Sequence, residues 1–279
     1  MTTTPASADI NPNKALWEKG DFTRIAATMR RSGDAIVEGL GVTEGLRVLD
    51  LGCGDGTTAV PSAQRGAEVL GVDIARNLVA AGTERAHALG LDNLTFQEGD
   101  ASALVDLTDD RFDLVVSIFG AMFAPRPFEV AQELVRVTAP GGRIVMGNWI
   151  PGDPTLVAQI LRISAAYSPA PPEGFISPVT WGVEANVAER FGAAGVPAAA
   201  ISCERRTYTF EHAGRPCDLL GLFRAFYGPT MNAYAAAAAA GREADLHAEL
   251  VDLFDAQNTS LIDGTTTIPA TYLQVTVTT

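Results

Sequence analysis

Histidine, cysteine and basic side chains are all scarce in this 279-residue chain. Each scarcity removes a class of function. The three histidines, His87, His212 and His247, lie at least 35 positions apart, so no two can share a helical turn and no metal site is expected. Cys53, Cys203 and Cys217 make neither a C-x-x-C pair nor an even disulfide framework, which points to a reducing, cytoplasmic setting. Only 20 Lys and Arg stand against 33 acidic residues, a formal net charge of −13, and the pairs Arg30-Arg31 and Arg205-Arg206 are isolated. A nucleic-acid binder needs a basic stripe to displace phosphate counterions, so DNA and RNA are not expected partners. Long apolar runs are also missing. The most apolar stretch, Leu114–Ala124, is far too short to span a bilayer, and Met1–Asn13 lacks the apolar core of a signal peptide, so no membrane partner is expected. Neither a G-x-x-x-x-G-K-[ST] phosphate loop nor a G-x-S-x-G elbow occurs, which disfavours ATP or GTP chemistry and an α/β-hydrolase.

What remains is a chain with 47% apolar and 19% charged residues, suited to a well-packed core. Residues 1–13 read as a flexible tail and 14–40 as a helical N-terminal cap carrying Trp17, Phe22, Ile25, Met29, Ile36 and Val37. Residues 41–150 alternate strands and helices. Strands are expected at Arg47–Leu51, Glu68–Val72, Leu94–Gln97, Phe112–Ser117 and Arg143–Asn148, with a turn at Pro140-Gly141-Gly142. Apolar strands alternating with helices imply a doubly wound α/β unit with a parallel sheet covered on both faces. Residues 151–180 are a Pro-rich connection around one helix near 154–167, and a helix near 183–193 follows. Residues 181–279 complete the core. Strands at Ala198–Phe210 and Ile268–Val277 are expected to pair antiparallel around a helical lid insertion at about 211–264. That insertion is apolar enough that it could also support a homodimer.

The first strand runs into Val48-Leu49-Asp50-Leu51-Gly52-Cys53-Gly54-Asp55-Gly56, where glycines allow a sharp turn and close approach to a ligand. Asp50 at the strand's end would suit a cationic ligand and repel a pyrophosphate. Thr57 stands where a dinucleotide fingerprint has Gly or Ala. Gly99-Asp100-Ala101 adds a second acid at the same edge. Asp73, ending the second strand, is the acid expected to grip both hydroxyls of a ribose.

DLGCGDG, GVD, EGDA, FDLVVS and ELVRVTAPGGRIVMGNW together resemble the motif series of the class I S-adenosylmethionine-dependent methyltransferase family over about residues 45–150. The resemblance implies a Rossmann-like, seven-stranded sheet whose last strand is antiparallel, with S-adenosyl-L-methionine as cofactor and S-adenosyl-L-homocysteine as product. It also implies that Gly52, Cys53 and Gly54 hold the methionine part with Asp50 nearby. Asp73 and Ile74 would flank ribose and adenine, Asp100 and Ala101 would reach the adenine edge, and Ser117 would lie beside the methyl donor. LWEKGDF (16–22), SIFGAMFAP (117–125) and FYGPT (226–230) are similar to a bacterial group of small-molecule methyltransferases. Members of that group often have Thr or Ala at Cys53, so no catalytic thiol is implied.

Methyl transfer from a sulfonium needs alignment and desolvation, and a base only where the acceptor must lose a proton. The acceptor pocket is expected beyond the central strands, lined by Phe119, Met122, Phe123 and Trp149, with Trp17 and Phe22 from the cap and Trp181 and Tyr227 from later segments. Such a lining suits a flat or apolar small molecule. The candidate bases are Asp21, His212 and Tyr227; Asp21 could instead cap the helix that follows it. Two other readings stay open: an NAD-dependent oxidoreductase, disfavoured by Asp50 and Thr57, and a protein that binds S-adenosylmethionine without transferring its methyl group.

Overall fold

The computed structural model describes residue 11 and residues 13–279. Most of the segment read as a flexible tail lies outside the described residues. Seven strands, β1 (Arg47–Leu51), β2 (Glu68–Asp73), β3 (Leu94–Glu98), β4 (Phe112–Ile118), β5 (Thr138–Trp149), β6 (Ile201–His212) and β7 (Thr266–Thr278), form one sheet in the order β3-β2-β1-β4-β5-β7-β6. β1 to β5 run parallel, and β7 enters antiparallel to both β5 and β6. The strand order reverses between β1 and β4. In an open α/β sheet that reversal opens a crevice at the strands' C-terminal ends.

Alternate residues of the central strands feed two cores. Val48, Leu114, Val116 and Val145 face one side, with Ala59, Val60, Ala63 and Ala86 of α4 (Ala59–Gln64) and α5 (Arg76–Ala88). Leu49, Leu51, Val115, Ile144 and Met146 face the other, with Val130 and Leu134 of α6 (Pro127–Val137) and Ile160 of α7 (Leu156–Tyr167). Burial on both faces explains the near-continuous apolar strands. α8 (Glu184–Ala193) packs on α6, and α9 (Pro216–Phe226), α10 (Gly228–Ala239) and α11 (Glu243–Gln257) lie between β6 and β7, with α10 and α11 against α7.

Three expectations are corrected in detail. The N-terminal cap is three helices, α1 (Asn13–Glu18), α2 (Thr23–Ala26) and α3 (Arg30–Gly39), with a 3-10 turn at Ala27–Met29. The helix breaks at Gly20-Asp21, where the Asp21 carboxylate accepts from the Thr23 N–H (3.2 Å) and hydroxyl (2.5 Å) in a local turn before α2, whose N-cap is Phe22. Pro140–Gly142 does not end β5 but bulges within it. The register on β4 jumps from Phe112↔Thr138 to Leu114↔Arg143, with Gly141 at φ +76° and its N–H donated to Thr279 O. β6 starts at Ile201 because Ala198–Ala200 form a 3-10 turn.

Cap and insertion interlock. A Cβ on Gly20 would lie 2.4 Å from the Phe226 carbonyl oxygen, and one on Gly228 2.6 Å from that of Leu16. Two stretches more than 200 residues apart, LWEKGDF and FYGPT, are therefore a single contact, completed by Trp17 and Phe22 against Tyr227 at 6.1 and 6.2 Å.

Candidate active site

The loop leaving β1 is held by backbone bonds to β2: Gly52 N and Cys53 N both donate to Val72 O, at 2.7 and 3.2 Å. Gly52 turns at φ +70° directly against Gly120, which follows β4. At Gly54 an added Cβ would meet nothing within 4 Å, so the loop backbone there is bare toward the cavity it lines. Asp73, at the end of β2, accepts the Gly54 N–H on one oxygen (2.8 Å) and the Ala75 N–H on the other (2.9 Å). Burial raises its pKa, and those two N–H bonds pull against the rise.

Asp50 does not line the cavity itself but lies behind Thr58, which does. Its carboxylate is buried, accepts the Thr58 hydroxyl at 2.5 Å and the Ala59 N–H, and so fastens the start of α4. Burial first, and then the neighbouring Asp73, push its pKa from the ordinary 3.8 up to about 7. Between those two values the folded chain keeps a proton that the unfolded chain has released. Stability from this group is therefore fully present below about pH 4 and is lost as pH rises through 7. At ~1.4 kcal/mol per unit the effect is on the order of 4 kcal/mol. Asp50→Asn is expected to flatten the denaturation midpoint between pH 4 and 7. An unchanged slope would show that Asp50 titrates normally.

The cavity holds about 950 Å³ of empty space, including its open mouth. Its polar side presents Asp55, Asp73 and Asp100 with Asn11 and Asn13; Ile74, Ala101 and the Gly52–Gly54 loop complete that side. Asp100 accepts the Ser102 N–H (2.8 Å) and the Asn11 amide (3.1 Å), and Asn13 donates to Phe123 O (2.5 Å), so the cap closes over the end of β3. The other wall is apolar and aromatic: Trp17, Phe22, Met29, Phe119, Phe123 and Tyr208. Trp17 meets Phe22 and Phe123 edge-on at 5.7 and 4.9 Å. Phe119 sits at φ +58°, a conformation that costs a bulky side chain of order 1–3 kcal/mol. Its ring is held there by stacking on Trp149 (3.6 Å, 8°) and by the edge of Tyr208 (5.0 Å).

Several expected site residues stand outside the cavity wall. Trp149 lies behind Phe119 rather than beside a ligand. Met122 turns into the core, because the 3-10 turn Ala121–Phe123 points successive side chains in different directions. Ser117 is buried, donates to Leu51 O (2.6 Å) and accepts the Ala121 N–H (2.9 Å), pinning the β4 exit to β1. Trp181 packs against Phe191 and under the Arg190 guanidinium. Tyr227 is buried among Trp17, Phe22 and Phe223, and burial raises its pKa further from any base role. His212, the last residue of β6, and Asp21, bonded locally to Thr23, also do not line it.

Sequence reasoning missed Tyr208, Met29 and Asp55. Tyr208 comes from the middle of β6 and donates its hydroxyl to Met29 O at 3.0 Å, tying sheet edge to cap. Burial raises its pKa as well. Asp55, inside the quoted motif, was legible as an acid but its burial was not. Among the described residues no group of three His, Cys, Asp or Glu could hold a metal, and no helix is long and apolar enough to cross a membrane.

A glycine-rich turn after β1, an acid ending β2, another after β3 and an antiparallel seventh strand define a class I methyltransferase fold. A methyltransferase domain model matches residues 42–166. The chain is 34% identical over 253 residues to an uncharacterized protein of Mycobacterium tuberculosis, covering 90% of each. It is 33% identical over 153 residues to the demethylmenaquinone methyltransferase of Renibacterium salmoninarum, covering 52% of this chain and 62% of that one. Its fold matches the phosphoethanolamine N-methyltransferase 2 of Haemonchus contortus, solved with S-adenosyl-L-methionine, at a TM-score of 0.59 and 17% identity, over 96% of this chain and 59% of that one. The chain belongs to the class I S-adenosylmethionine-dependent methyltransferase family and is an enzyme of that kind.

Proposed function

We propose that the enzyme methylates a flat, largely apolar small molecule held against the aromatic wall, with S-adenosylmethionine along the carboxylate-lined side. The observation that carries this reading is that one cavity is lined both by the carboxylates Asp55, Asp73 and Asp100 and by the rings of Trp17, Phe22, Phe119, Phe123 and Tyr208. The bare backbone at Gly54 and the acid at the end of β2 fit a cationic, ribose-bearing cofactor. Bound there, the cofactor supplies a methyl group on a sulfonium for in-line displacement, leaving S-adenosylhomocysteine.

The chain's own part is placement and exclusion of water. Asp73 is positioned for the ribose hydroxyls, Ile74 and Ala101 for the faces of the adenine, and Asp100 for its edge. Gly52, Cys53 and Gly54 lie along the methionine part. Trp17, Phe22 and Phe123 close the acceptor side, and Phe119 offers a ring face that its stacking on Trp149 keeps fixed. The aromatic wall holds a single titratable group, the Tyr208 hydroxyl, which is committed to Met29 O. The chain's contribution on this side is therefore alignment, and a phenol or quinol would have to release its proton to a group other than Tyr208.

The test is methyl transfer from labelled S-adenosylmethionine to a panel of quinols, phenols and aliphatic amines. Turnover is expected with the flat ring compounds. Trp17→Ala is expected to raise their KM by about 10-fold, since one aromatic face is worth ~1–3 kcal/mol, without changing S-adenosylhomocysteine affinity. Turnover confined to charged aliphatic amines would overturn the acceptor class.

A further inference from the structure

β6 is the outermost strand of the sheet, with β7 as its neighbour on one side. It is long for an edge, twelve residues, holds no proline and pairs with β7 in one unbroken register from Ile201↔Val277 to His212↔Thr266. Short length, proline and bulges keep an edge from pairing with another chain, and β6 uses none of them. Its two halves differ. At Thr209 the cap covers the edge: the Ser32 hydroxyl donates to Thr209 O and accepts from Thr209 N, both at 2.9 Å. The Thr209 backbone therefore points away from β7, where the residue opposite, Pro269, has no N–H to give. In an antiparallel ladder that direction alternates, so Thr207, Arg205 and Cys203 also turn their N–H and C=O outward. Glu204 to Thr207 are exposed. Among the described residues, no backbone group outside the sheet bonds to those outward groups.

We propose that this open stretch pairs with the same stretch of a second copy of the chain, antiparallel about a two-fold axis at Arg205, joining two seven-stranded sheets edge to edge. The stretch is its own complement. In that register the outward groups of Cys203 meet those of the partner's Thr207, and Arg205 meets the partner's Arg205. The ladder stops where it would reach Thr209, which Ser32 already holds. Glu204 and Arg206, 60 and 51% exposed, now pair along one strand at 2.7 Å. Across the two-fold axis Glu204 faces the partner's Arg206, and Arg206 the partner's Glu204, two cross-strand pairs of opposite charge. The like-charged Arg205 side chains lie on the other face, where the buried Asp153 carboxylate balances each at 2.6 Å. A second copy is thus the occupant that the charges of this edge select.

Light scattering on the full chain tests the pairing at on the order of 100 μM, where even a small interface is populated. Wild type should show twice the 29.3 kDa of one chain. Glu204→Arg and Arg206→Glu each turn both cross-strand pairs into like-charge pairs and should weaken association at least about 10-fold. An equimolar mixture of the two variants should regain the dimer, because each then meets the opposite charge at both positions. A monomeric wild type overturns the proposal. So does a dimer that neither reversal weakens, which would place the contact elsewhere, or a mixture no more dimeric than its components. Hydrogen exchange needs no variant: the Cys203, Arg205 and Thr207 amides should be protected at on the order of 100 μM and exchange at least about 10-fold faster near ~1 μM. Equal exchange at the two concentrations would also overturn it.

Discussion

Asp73→Ala is expected to weaken S-adenosylmethionine and S-adenosylhomocysteine binding by roughly 100- to 1,000-fold, or ~3–4 kcal/mol. Two losses add. The ribose hydroxyls lose a charged acceptor, each such bond being worth ~1.5–3 kcal/mol. The Gly54 and Ala75 N–H groups lose the oxygens that hold them at 2.8 and 2.9 Å, so the bare loop backbone along the cavity loosens. Calorimetry with both adenosyl compounds and with NAD in parallel measures the effect. Asp73→Asn, which keeps an acceptor for one N–H and removes the charge, should fall between the variant and wild type. Unchanged affinity in Asp73→Ala would remove this residue from the nucleoside site.

Gly52→Ala should be strongly damaging, because a backbone clash and a left-handed φ coincide there. The added Cβ would stand 2.5 Å from the Gly120 Cα and 2.8 Å from its carbonyl carbon. Both are backbone atoms of the β4 exit and have no rotamer to adopt. The φ of +70° costs any L side chain a further ~1–2 kcal/mol. Together, overpacking and strain come to ~3–5 kcal/mol, which in a chain of this size lowers Tm by roughly 10 °C. Relief by separating the two loops would open the cavity that Gly52 and Gly120 both line, so cofactor affinity should fall at least about 10-fold with the Tm. Gly41→Ala is the control: its φ is +67° but nothing lies within 4 Å, so it should show the backbone cost alone. Equal Tm losses in the two variants would show that the close approach to Gly120 carries no weight.

The parts of this site that were legible in the chain are those governed by short-range rules. Val/Leu/Ile runs punctuated by Gly and Asp set β1 to β5 within a few residues, and the exits of those strands necessarily put Gly52–Gly54, Asp73, Asp100 and Phe119 at one edge. Facing was less legible. Asp50 and Ser117 sit at strand ends as expected, yet both turn inward, one to the start of α4 and the other to Leu51 O. A period of two says that alternate residues share a face, but not which face the ligand takes. Past Phe119 even that period stops, because a positive φ and a 3-10 turn re-aim the chain, so Phe123 reaches the cavity and Met122 does not.

The sequence by itself determined a doubly wound sheet and an acid-edged, glycine-bare crevice, because period, turn chemistry and strand order are local or nearly so. Only the tertiary structure decided what closes that crevice. Tyr208 on β6, Trp17 and Phe22 on the cap, and the Gly20–Phe226 and Gly228–Leu16 contacts join segments up to more than 200 residues apart. So does the Arg30–Asp55 pair, across 25 positions. Contacts of that kind are chosen by how helices and strands pack in three dimensions, and no spacing along the chain encodes them.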